Sequence, residues 1–91
     1  MKNINPKQLE RIVKGFANHH RIRILSLLEQ EPDLSLLAIS DRLSTSFKTI
    51  GEHTRKLAIS GLIVKRYKGA AVEHAISDRG KQVLKFCRTL E

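Results

Sequence analysis

Apolar residues in the middle of the chain recur at the spacing of a short amphipathic helix. Leu36, Ile39 and Leu43 follow one another at i, i+3 and i+7, which places them on one face of a 3.6-residue period. Ser35 stands immediately before them, in the position and with the side chain of an N-cap. Two polar residues at positions 44–45 then break the pattern, so the helix is expected to end there.

A second amphipathic segment begins after this polar turn. Ser46 is placed to cap it, Ile50, Thr54 and Leu57 form its inward stripe, and Gly61 is expected to close it. Two short helices joined by a tight polar turn are the layout of a helix-turn-helix. The second helix would then turn five residues outward, toward a DNA groove: Phe47, Lys48, Gly51, Glu52 and Arg55.

The N-terminal segment predicts another helix. Asn5 is an N-cap, Pro6 occupies the first helical position and Gln8 completes a capping box, while Ile4 and Leu9 have the spacing of a hydrophobic staple. The apolar stripe of this helix, which is expected to end near Asn18, consists of Leu9, Ile12, Val13 and Phe16.

The next helix is expected over about His19 to Gln30. It would bury Ile22, Leu25 and Leu28, and it must stop before Pro32 because the residue preceding a proline disfavours helical backbone.

The periodicity changes after the helix-turn-helix segment. Leu62 to Tyr67 and Val72 to Ile76 are β-branched and aromatic stretches that flank Lys68-Gly69-Ala70, a pattern that predicts a hairpin with a basic tip. Ser77 is placed to cap a last helix with the apolar stripe Val83, Leu84, Cys87 and Leu90. The predicted fold is α+β, mainly α, in the order ααααββα with the hairpin as a wing.

Length and charge limit what such a chain can do. With 91 residues, 41% of them hydrophobic, residues 1–91 are expected to form one domain. Residues 1–45 carry seven Lys/Arg and five Asp/Glu, whereas residues 46–91 carry ten and four, so the positive charge is concentrated in the second half. This charge fits either a nucleic-acid partner or a soluble basic surface, and the helix-turn-helix pattern favours nucleic acid.

Cys87 is the single cysteine, which excludes an internal disulfide and fits a reducing compartment. The sequence has no signal segment and no apolar run near the ~20 residues needed to cross a bilayer. A cytoplasmic protein without a membrane partner is therefore expected.

Three segments, in order and at the right separations, resemble the ArsR-type winged-helix repressors of bacteria and archaea, and the resemblance extends from about Leu9 to Leu90. They are the run Ala17 to Leu25, then Ser46-x-x-Thr49-Ile50-x-x-His53, then Leu57-x-x-Ser60-Gly61-Leu62-Ile63. The resemblance implies a homodimer through the first and last helices. It also implies one reading helix per half-site on double-stranded DNA, and a wing against the backbone or minor groove.

The chain departs from the metal-sensing members of that family. Leu34 to Leu43, the helix that carries their Cys-x-Cys box, contains no cysteine, no histidine and no cluster of carboxylates. The adjacent His19 and His20 are expected to diverge on a helix, His53 sits where the family has a structural histidine, and His74 lies on the second wing strand. Three or four convergent ligands are normal for zinc, so no metal and no other cofactor are expected.

Cys87 has two interpretations. Lys85 and Arg88 lie close in sequence and could make it a reactive thiolate. However, Cys87 shares a helical face with Val83 and Leu90, and free cysteine is among the most buried residue types, so packing is favoured over sensing.

The candidate DNA contacts on the reading helix differ in chemistry. Arg55 has the fork for bidentate readout of guanine, and Lys48 at the helix start suits a phosphate. Glu52 could accept from cytosine N4 or instead pair with Lys56, four residues on. The full candidate set in this helix is Ser46, Phe47, Lys48, Thr49, Gly51, Glu52, Arg55 and Lys56.

Two of these residues are unusual for an exposed helical face. Phe47 could contact a thymine methyl group or, as slightly favoured, fold back over the preceding helix. Gly51 costs ~1 kcal/mol relative to alanine, a cost that close approach of the helix to DNA would compensate.

On the wing, Lys65, Arg66 and Lys68 are candidate phosphate or minor-groove contacts, and they could equally protect an exposed edge strand from pairing. The other basic cluster, on the last helix, is expected to be a solvated face: Lys81, Lys85 and Arg88.

The sequence therefore predicts a sequence-specific, dimeric DNA-binding transcriptional regulator, most simply a repressor that occupies its site. The alternative is a winged-helix adaptor that binds protein and not DNA. An enzyme has no support, because the sequence contains neither a phosphate-binding glycine loop nor a recognisable nucleophile and base.

Overall fold

A computed structural model describes residues 4–91, and within them the expected order ααααββα is confirmed. The elements are α1 (Pro6–Phe16), α2 (His19–Gln30), α3 (Leu36–Leu43), α4 (Phe47–Ile59), β1 (Ile63–Lys68), β2 (Ala71–Ile76) and α5 (Asp78–Thr89). None of the helices in this range has the length and apolar character to span a bilayer.

The helix starts follow from local capping chemistry. Asn5 and Gln8 form the predicted capping box, since the Asn5 side chain accepts from the Gln8 backbone N–H at 2.9 Å and the Gln8 side chain accepts in return at 3.2 Å. The hydroxyls of Ser35, Ser46 and Ser77 each accept a backbone N–H three residues on. Each cap contributes ~1 kcal/mol, so the sequence fixes where these four helices begin.

Helix α2 lies at the centre of the molecule and contacts the other four helices and β2. Its Ile24, Leu25 and Leu28 are completely buried. Around them the core is completed by apolar residues from α3, α4, the strand region and α5: Ile39, Ile50, Leu57, Leu62, Ile63, Val83 and Leu84.

The predicted burial of Ile22 is wrong, because this side chain is 37% exposed. The inward stripe of α2 instead starts with Arg21, whose guanidinium donates to the backbone oxygen of Lys14 near the end of α1 at 3.0 Å. A charged residue therefore occupies the position that hydrophobic periodicity assigned to an apolar one, and Ile24 takes the buried place.

The stripe of α5 is one residue shorter than expected. Val83 and Leu84 are buried and Cys87 packs against the core at half exposure, but Leu90 is 71% exposed. Leu90 is the C-cap of a helix that ends at Thr89, beyond the edge of the core.

The two strands form an antiparallel hairpin in register from Ile63 opposite Ile76 to Lys68 opposite Ala71. Pairing extends one residue further toward the tip than the sequence predicted on each strand. A two-residue turn remains, and Gly69 is its first residue with φ +59°. Leu34 adds one bridge at the outer edge of β2, exchanging backbone hydrogen bonds with His74.

Candidate nucleic-acid interface

The turn between α3 and α4 sets the angle of the helix-turn-helix. Ser44 ends α3 in the left-handed region with φ +49°. The Ser40 hydroxyl donates to the Thr45 backbone oxygen at 2.5 Å, and the Thr45 N–H donates to the Ser40 backbone oxygen at 3.2 Å. This pair of hydrogen bonds closes the turn, so α4 starts in a fixed direction.

The inward stripe of α4 is buried as predicted. Ile50 and Leu57 are completely buried. Thr54 is 2% exposed, and its hydroxyl donates to the Ile50 backbone oxygen at 2.9 Å, so its burial leaves no polar group unpaired. The helix ends as expected at Gly61, which has φ +73°, and the N–H of Leu62 returns to the Leu57 carbonyl at 2.9 Å.

Because one face of α4 is fixed in the core, the opposite face points to solvent. Lys48, Glu52 and Arg55 lie at i, i+4 and i+7 on this face, and all three are exposed. Among the described residues, none of them forms an ion pair, so the alternative pairing of Glu52 with Lys56 is not present. The two cations, Lys48 and Arg55, keep their hydrogen-bond donors free for an anionic or base-edge partner.

The start of α4 adds three further candidates. Phe47 is 54% exposed, which favours a groove contact over packing against the preceding helix. The Ser46 hydroxyl donates to Thr49 Oγ1 at 2.8 Å, and this leaves the Thr49 hydroxyl hydrogen available to an outside acceptor. These side chains surround the helix N-terminus, where the helix dipole favours a phosphate.

Gly51 has no steric requirement within the chain. A Cβ at this position would make an ordinary contact of 3.5 Å with Leu36. The expectation that DNA approaches the helix closely at Gly51 therefore stays a prediction.

Two of the three wing cations have intramolecular partners. Arg66 Nη1 lies 3.0 Å from Asp33 in the loop before α3, and Lys68 Nζ lies 3.3 Å from Glu73 on β2. The Arg66–Asp33 pair is exposed and so weak enough to exchange for phosphate, whereas the Glu73 side chain is only 25% exposed and its Oε1, which faces Lys68, is buried. Sequence reasoning missed Tyr67, a 72% exposed aromatic side chain between these two cations. The position of Tyr67 inside the basic run of β1 was the signal for it.

His53 on α4, at the position where the ArsR-type repressors have a structural histidine, makes structural contacts here as well. Nδ1 of His53 accepts a hydrogen bond of 3.1 Å from Nε of Arg21, the same side chain that binds the end of α1. The His20 ring stacks on His53 with centroids 5.1 Å apart. Burial lowers the pKa of His53, and the charges of Arg21, His20 and Lys56 lower it further, against a smaller opposite effect of Glu52.

The expectation that His19 and His20 diverge is wrong, because their ring centroids lie 4.1 Å apart. Both belong to the first turn of α2, where no preceding helical turn restricts the side chains. His74 is buried on β2, and its Nδ1 lies 2.9 Å from the Leu34 backbone oxygen. Within residues 4–91, no three His, Cys, Asp or Glu side chains converge on a point that suits a metal.

The basic cluster on α5 is only partly a solvated face. Both Nη atoms of Arg88 approach the Glu29 carboxylate of α2, at 2.5 and 3.4 Å. The hydrogen bond to Arg88 lowers the pKa of Glu29. Arg88 therefore links α5 to the central helix, and the half-buried Cys87 beside it is packed on the core, as the favoured interpretation expected.

A comparison with protein families adds an independent observation. The model of the family described as winged helix-turn-helix DNA-binding matches residues 18–64, which is more than half of the chain. The chain belongs to this family. In winged helix-turn-helix terms, the matched segment runs from the cap of α2 through the reading helix α4 to the start of the wing.

Several solved structures superpose on nearly the whole chain. A homodimeric DNA-binding domain from Mycobacterium bovis, described as a possible ArsR-family transcriptional regulator, has a TM-score of 0.82 at 22% identity and covers 99% of this chain and 89% of its own. HlyU from Vibrio cholerae has a TM-score of 0.80 at 26% identity and covers 98% and 97%. The transcriptional repressor PagR of Bacillus anthracis has a TM-score of 0.79 at 17% identity, covering 89% and 93%.

These likenesses confirm the winged helix-turn-helix fold, and one of the similar structures carries the ArsR-family description that the sequence resemblance named. A search among curated protein sequences gives no significant match.

The lowered pKa of His53 predicts how stability depends on pH. In the unfolded chain, His53 has the ordinary pKa of a histidine, ~6.5. In the folded protein its pKa is lower, so His53 stays neutral until the pH falls further. The contribution of His53 to stability is therefore complete above pH ~6.5 and is lost as pH falls through the folded pKa. Urea unfolding of the wild type between pH ~7.5 and ~5.5 should show this fall in the free energy of unfolding.

The control is His53→Gln, which removes the titrating ring and keeps an acceptor for Arg21. Its free energy of unfolding should change less with pH than that of the wild type. Equal pH dependence in the two proteins would contradict the assignment.

Proposed function

We propose that this protein is a homodimeric, sequence-specific DNA-binding transcriptional regulator that represses by occupying its site. The observation that carries the proposal is the outward face of α4. This face is fixed by the buried stripe behind it, and it presents Lys48 and Arg55 without intramolecular ion pairs. Membership of the winged helix-turn-helix DNA-binding family supports the same function.

Each candidate contact has a role that follows from its chemistry. Arg55 donates two parallel hydrogen bonds to O6 and N7 of guanine. Lys48, in the first turn of α4, binds a phosphate together with the helix N-terminus. Phe47 contacts a thymine methyl group, and Glu52 accepts from cytosine N4.

The wing supplies contacts that do not distinguish bases. Lys65 has no ion pair among the described residues, whereas Arg66 and Lys68 must leave Asp33 and Glu73 to bind phosphate. Since an exposed pair contributes only ~0 to 1 kcal/mol, release of Arg66 costs little, whereas release of Lys68 leaves a partly buried Glu73 carboxylate without its cation. Tyr67 at the tip adds an aromatic ring and a hydroxyl donor.

An apolar face formed by α1 and α5 supports dimerisation through these helices. Leu9, Val13 and Phe86 are between 44% and 55% exposed, and they line a groove of about 490 Å³ together with Phe16 and Val83. Large apolar side chains grouped in this way mark an interaction surface. The similar domain from Mycobacterium bovis is described as homodimeric, which supports a second copy of this chain as the partner.

A dimer also suits the task, because a lone domain of this size makes few base contacts. Two-fold pairing doubles them and matches a palindrome whose half-sites lie ~34 Å apart or a multiple of that distance. The structural similarity to the repressor PagR supports repression. A protein-binding adaptor is the competing function, but an adaptor has no need of unpaired cations on α4.

The roles of α4 and the wing can be separated on a duplex selected by the protein from a random pool. Arg55→Ala should weaken binding to this duplex by ~1 to 3 kcal/mol and weaken binding to a scrambled duplex much less, because a base contact is lost. Affinities measured at several salt concentrations test this.

The wing variant replaces Lys65, Arg66 and Lys68 by Ala. It should weaken binding to both duplexes alike and reduce the salt dependence by up to ~0.9 in log–log slope per lost phosphate contact. The matched control, Lys81→Ala with Lys85→Ala on α5, should leave the slope unchanged. An unchanged slope in the wing variant, with Arg55→Ala weakening both duplexes equally, would reverse the roles. If neither variant altered DNA binding, the protein-binding adaptor function would be supported instead.

The dimer prediction is tested by placing a charge in the apolar face. Leu9→Glu puts a carboxylate at a residue that is 50% exposed in the protomer, so the fold is kept, but a dimer would have to bury the charge. Light scattering at micromolar concentration should give a dimer for the wild type and a monomer for this variant. The control is Leu37→Glu on α3, at a residue 60% exposed away from that face, and it should stay dimeric. A monomeric wild type, with or without DNA, would refute the dimer.

A further inference from the structure

A second concave surface, which we call the basic cleft, lies between α1, the C-terminal end of α4 and the start of α5. It is open to solvent and has a volume of about 880 Å³, within the usual range for small-molecule sites. Its floor is rigid, because α1 and α4 meet at Gly15 and Ser60 so closely that a Cβ on Gly15 would collide with the Ser60 hydroxyl.

Five cations and no carboxylate line this cleft: Arg11, Lys14, Arg21, Lys56 and Arg79. Two of them are already engaged, since Arg21 binds backbone oxygens and His53, and Lys14 lies 3.8 Å from Glu10. Arg11 and Lys56 have no ion pair among the described residues, and Arg79 uses one N–H on the Ser60 backbone oxygen at 3.2 Å. The positive charge in the cleft is therefore not neutralised by the chain.

The walls of the cleft include apolar side chains. Ile4, Ile12 and Ile59 line it, and Ile59 is 74% exposed, one of the most exposed large apolar residues of the molecule. An inorganic anion would leave these side chains in contact with water. A ligand that covers them as well as the cations needs an anionic group and an apolar body.

We propose that the basic cleft binds a small organic anion with an apolar body, such as an aromatic or aliphatic carboxylate, sulfonate or phosphate, and that this anion is an effector of DNA binding. The second half of the proposal rests on the proposed function. Lys56 and Ile59 belong to α4, whereas Arg11 belongs to α1 and Arg79 to α5, the two helices assigned to the dimer interface. A bound anion would therefore bridge the dimer helices and the reading helix.

The cleft lies at the C-terminal end of α4, away from the helix N-terminus, and one of its residues, Lys56, is also a candidate DNA contact. Ile59 lies eleven residues beyond Lys48, which is ~16 Å along the helix axis. An anion in the cleft can therefore change how α4 is oriented relative to the dimer axis without competing for the phosphate proposed at the helix N-terminus, and it lies near Arg55, four residues before Ile59. An effect on DNA requires only that the anion binds the free and DNA-bound arrangements with different affinity.

The probe for the test is 8-anilinonaphthalene-1-sulfonate, an aromatic sulfonate, titrated into the protein and followed by fluorescence and by ¹H–¹⁵N NMR. Binding should saturate at one probe per protomer, and the largest amide shifts should fall on Gly15, Ile59 and Ser60. Shifts centred instead on Leu9, Val13 and Phe86 would place the probe in the apolar face and overturn the proposal. Inorganic phosphate, which lacks an apolar body, should compete only weakly, and equal affinity for phosphate would contradict an apolar contribution.

The variant that tests the charge is Arg11→Gln with Arg79→Gln, which should weaken probe binding roughly tenfold or more because charge-assisted contacts are lost. The matched control is Arg23→Gln with Lys85→Gln. It removes the same charge outside the cleft, and Arg23, like Arg79, donates one hydrogen bond of 3.2 Å to a backbone oxygen. Equal loss of probe binding in both variants would overturn the assignment of the probe to the basic cleft.

DNA titrations separate this proposal from the proposed function. Arg79 also lines the apolar groove, so light scattering must first show that the Arg11→Gln, Arg79→Gln variant is a dimer like the wild type. The probe should change the affinity of the wild type for its selected duplex severalfold, and the variant should bind the duplex normally but respond less. Weaker duplex binding by that variant without probe would show that these cations contact DNA phosphates, and the effector role would be wrong. If the probe bound the cleft and no duplex bound the protein, the ligand site would stand and the proposed function would fail.

Discussion

The burial of α4 against the central helix α2 is the constraint on which the rest of the structure depends. Ile50 and Leu57 of α4 are completely buried in the same core as Leu25 and Leu28 of α2. Removing one such side chain costs ~2 to 5 kcal/mol, a large part of the stability of a small domain. Since this packing fixes the rotation of α4 about its own axis, it also determines which residues face DNA. The orientation of the reading face therefore follows from the packing of the core.

Local rules explain why much of the fold could be predicted. Caps such as Asn5 and Ser46 act on residues three positions away, so the sequence alone places the helix starts. Interactions between distant residues are different. The guanidinium of Arg21 meets His53, 32 residues along, and that of Arg88 meets Glu29, 59 residues away. The hydrophobic periodicity of the sequence does not predict such pairings. The burial of Ile22 in α2 was predicted wrongly because Arg21, which binds His53, occupies the inward position instead. For the same reason the outward face of α4 was predictable, whereas the partners of the wing cations were not.

Electrostatics connects the parts that the core holds together. Arg21 ties the end of α1 to α2 and, through His53, to the reading helix. The neighbouring basic cleft lies along the same junction, with Lys56 on α4 and Arg79 on α5. The two helices proposed to form the dimer, α1 and α5, and the reading helix α4 therefore meet at a region of unneutralised positive charge. In the proposed regulator, an anion in the cleft would contact α4 together with these two helices.

The outward face of α4 and the wing are proposed to bind a DNA palindrome as a dimer. The most direct test is a ¹H–¹⁵N NMR titration of the protein with a palindromic duplex selected from a random pool. We expect saturation at two protomers per duplex, with the largest amide shifts along the outward face of α4, around Lys48 and Arg55, and on the wing around Lys65 and Tyr67. Shifts confined to other surfaces, or saturation at one protomer per duplex, would contradict it.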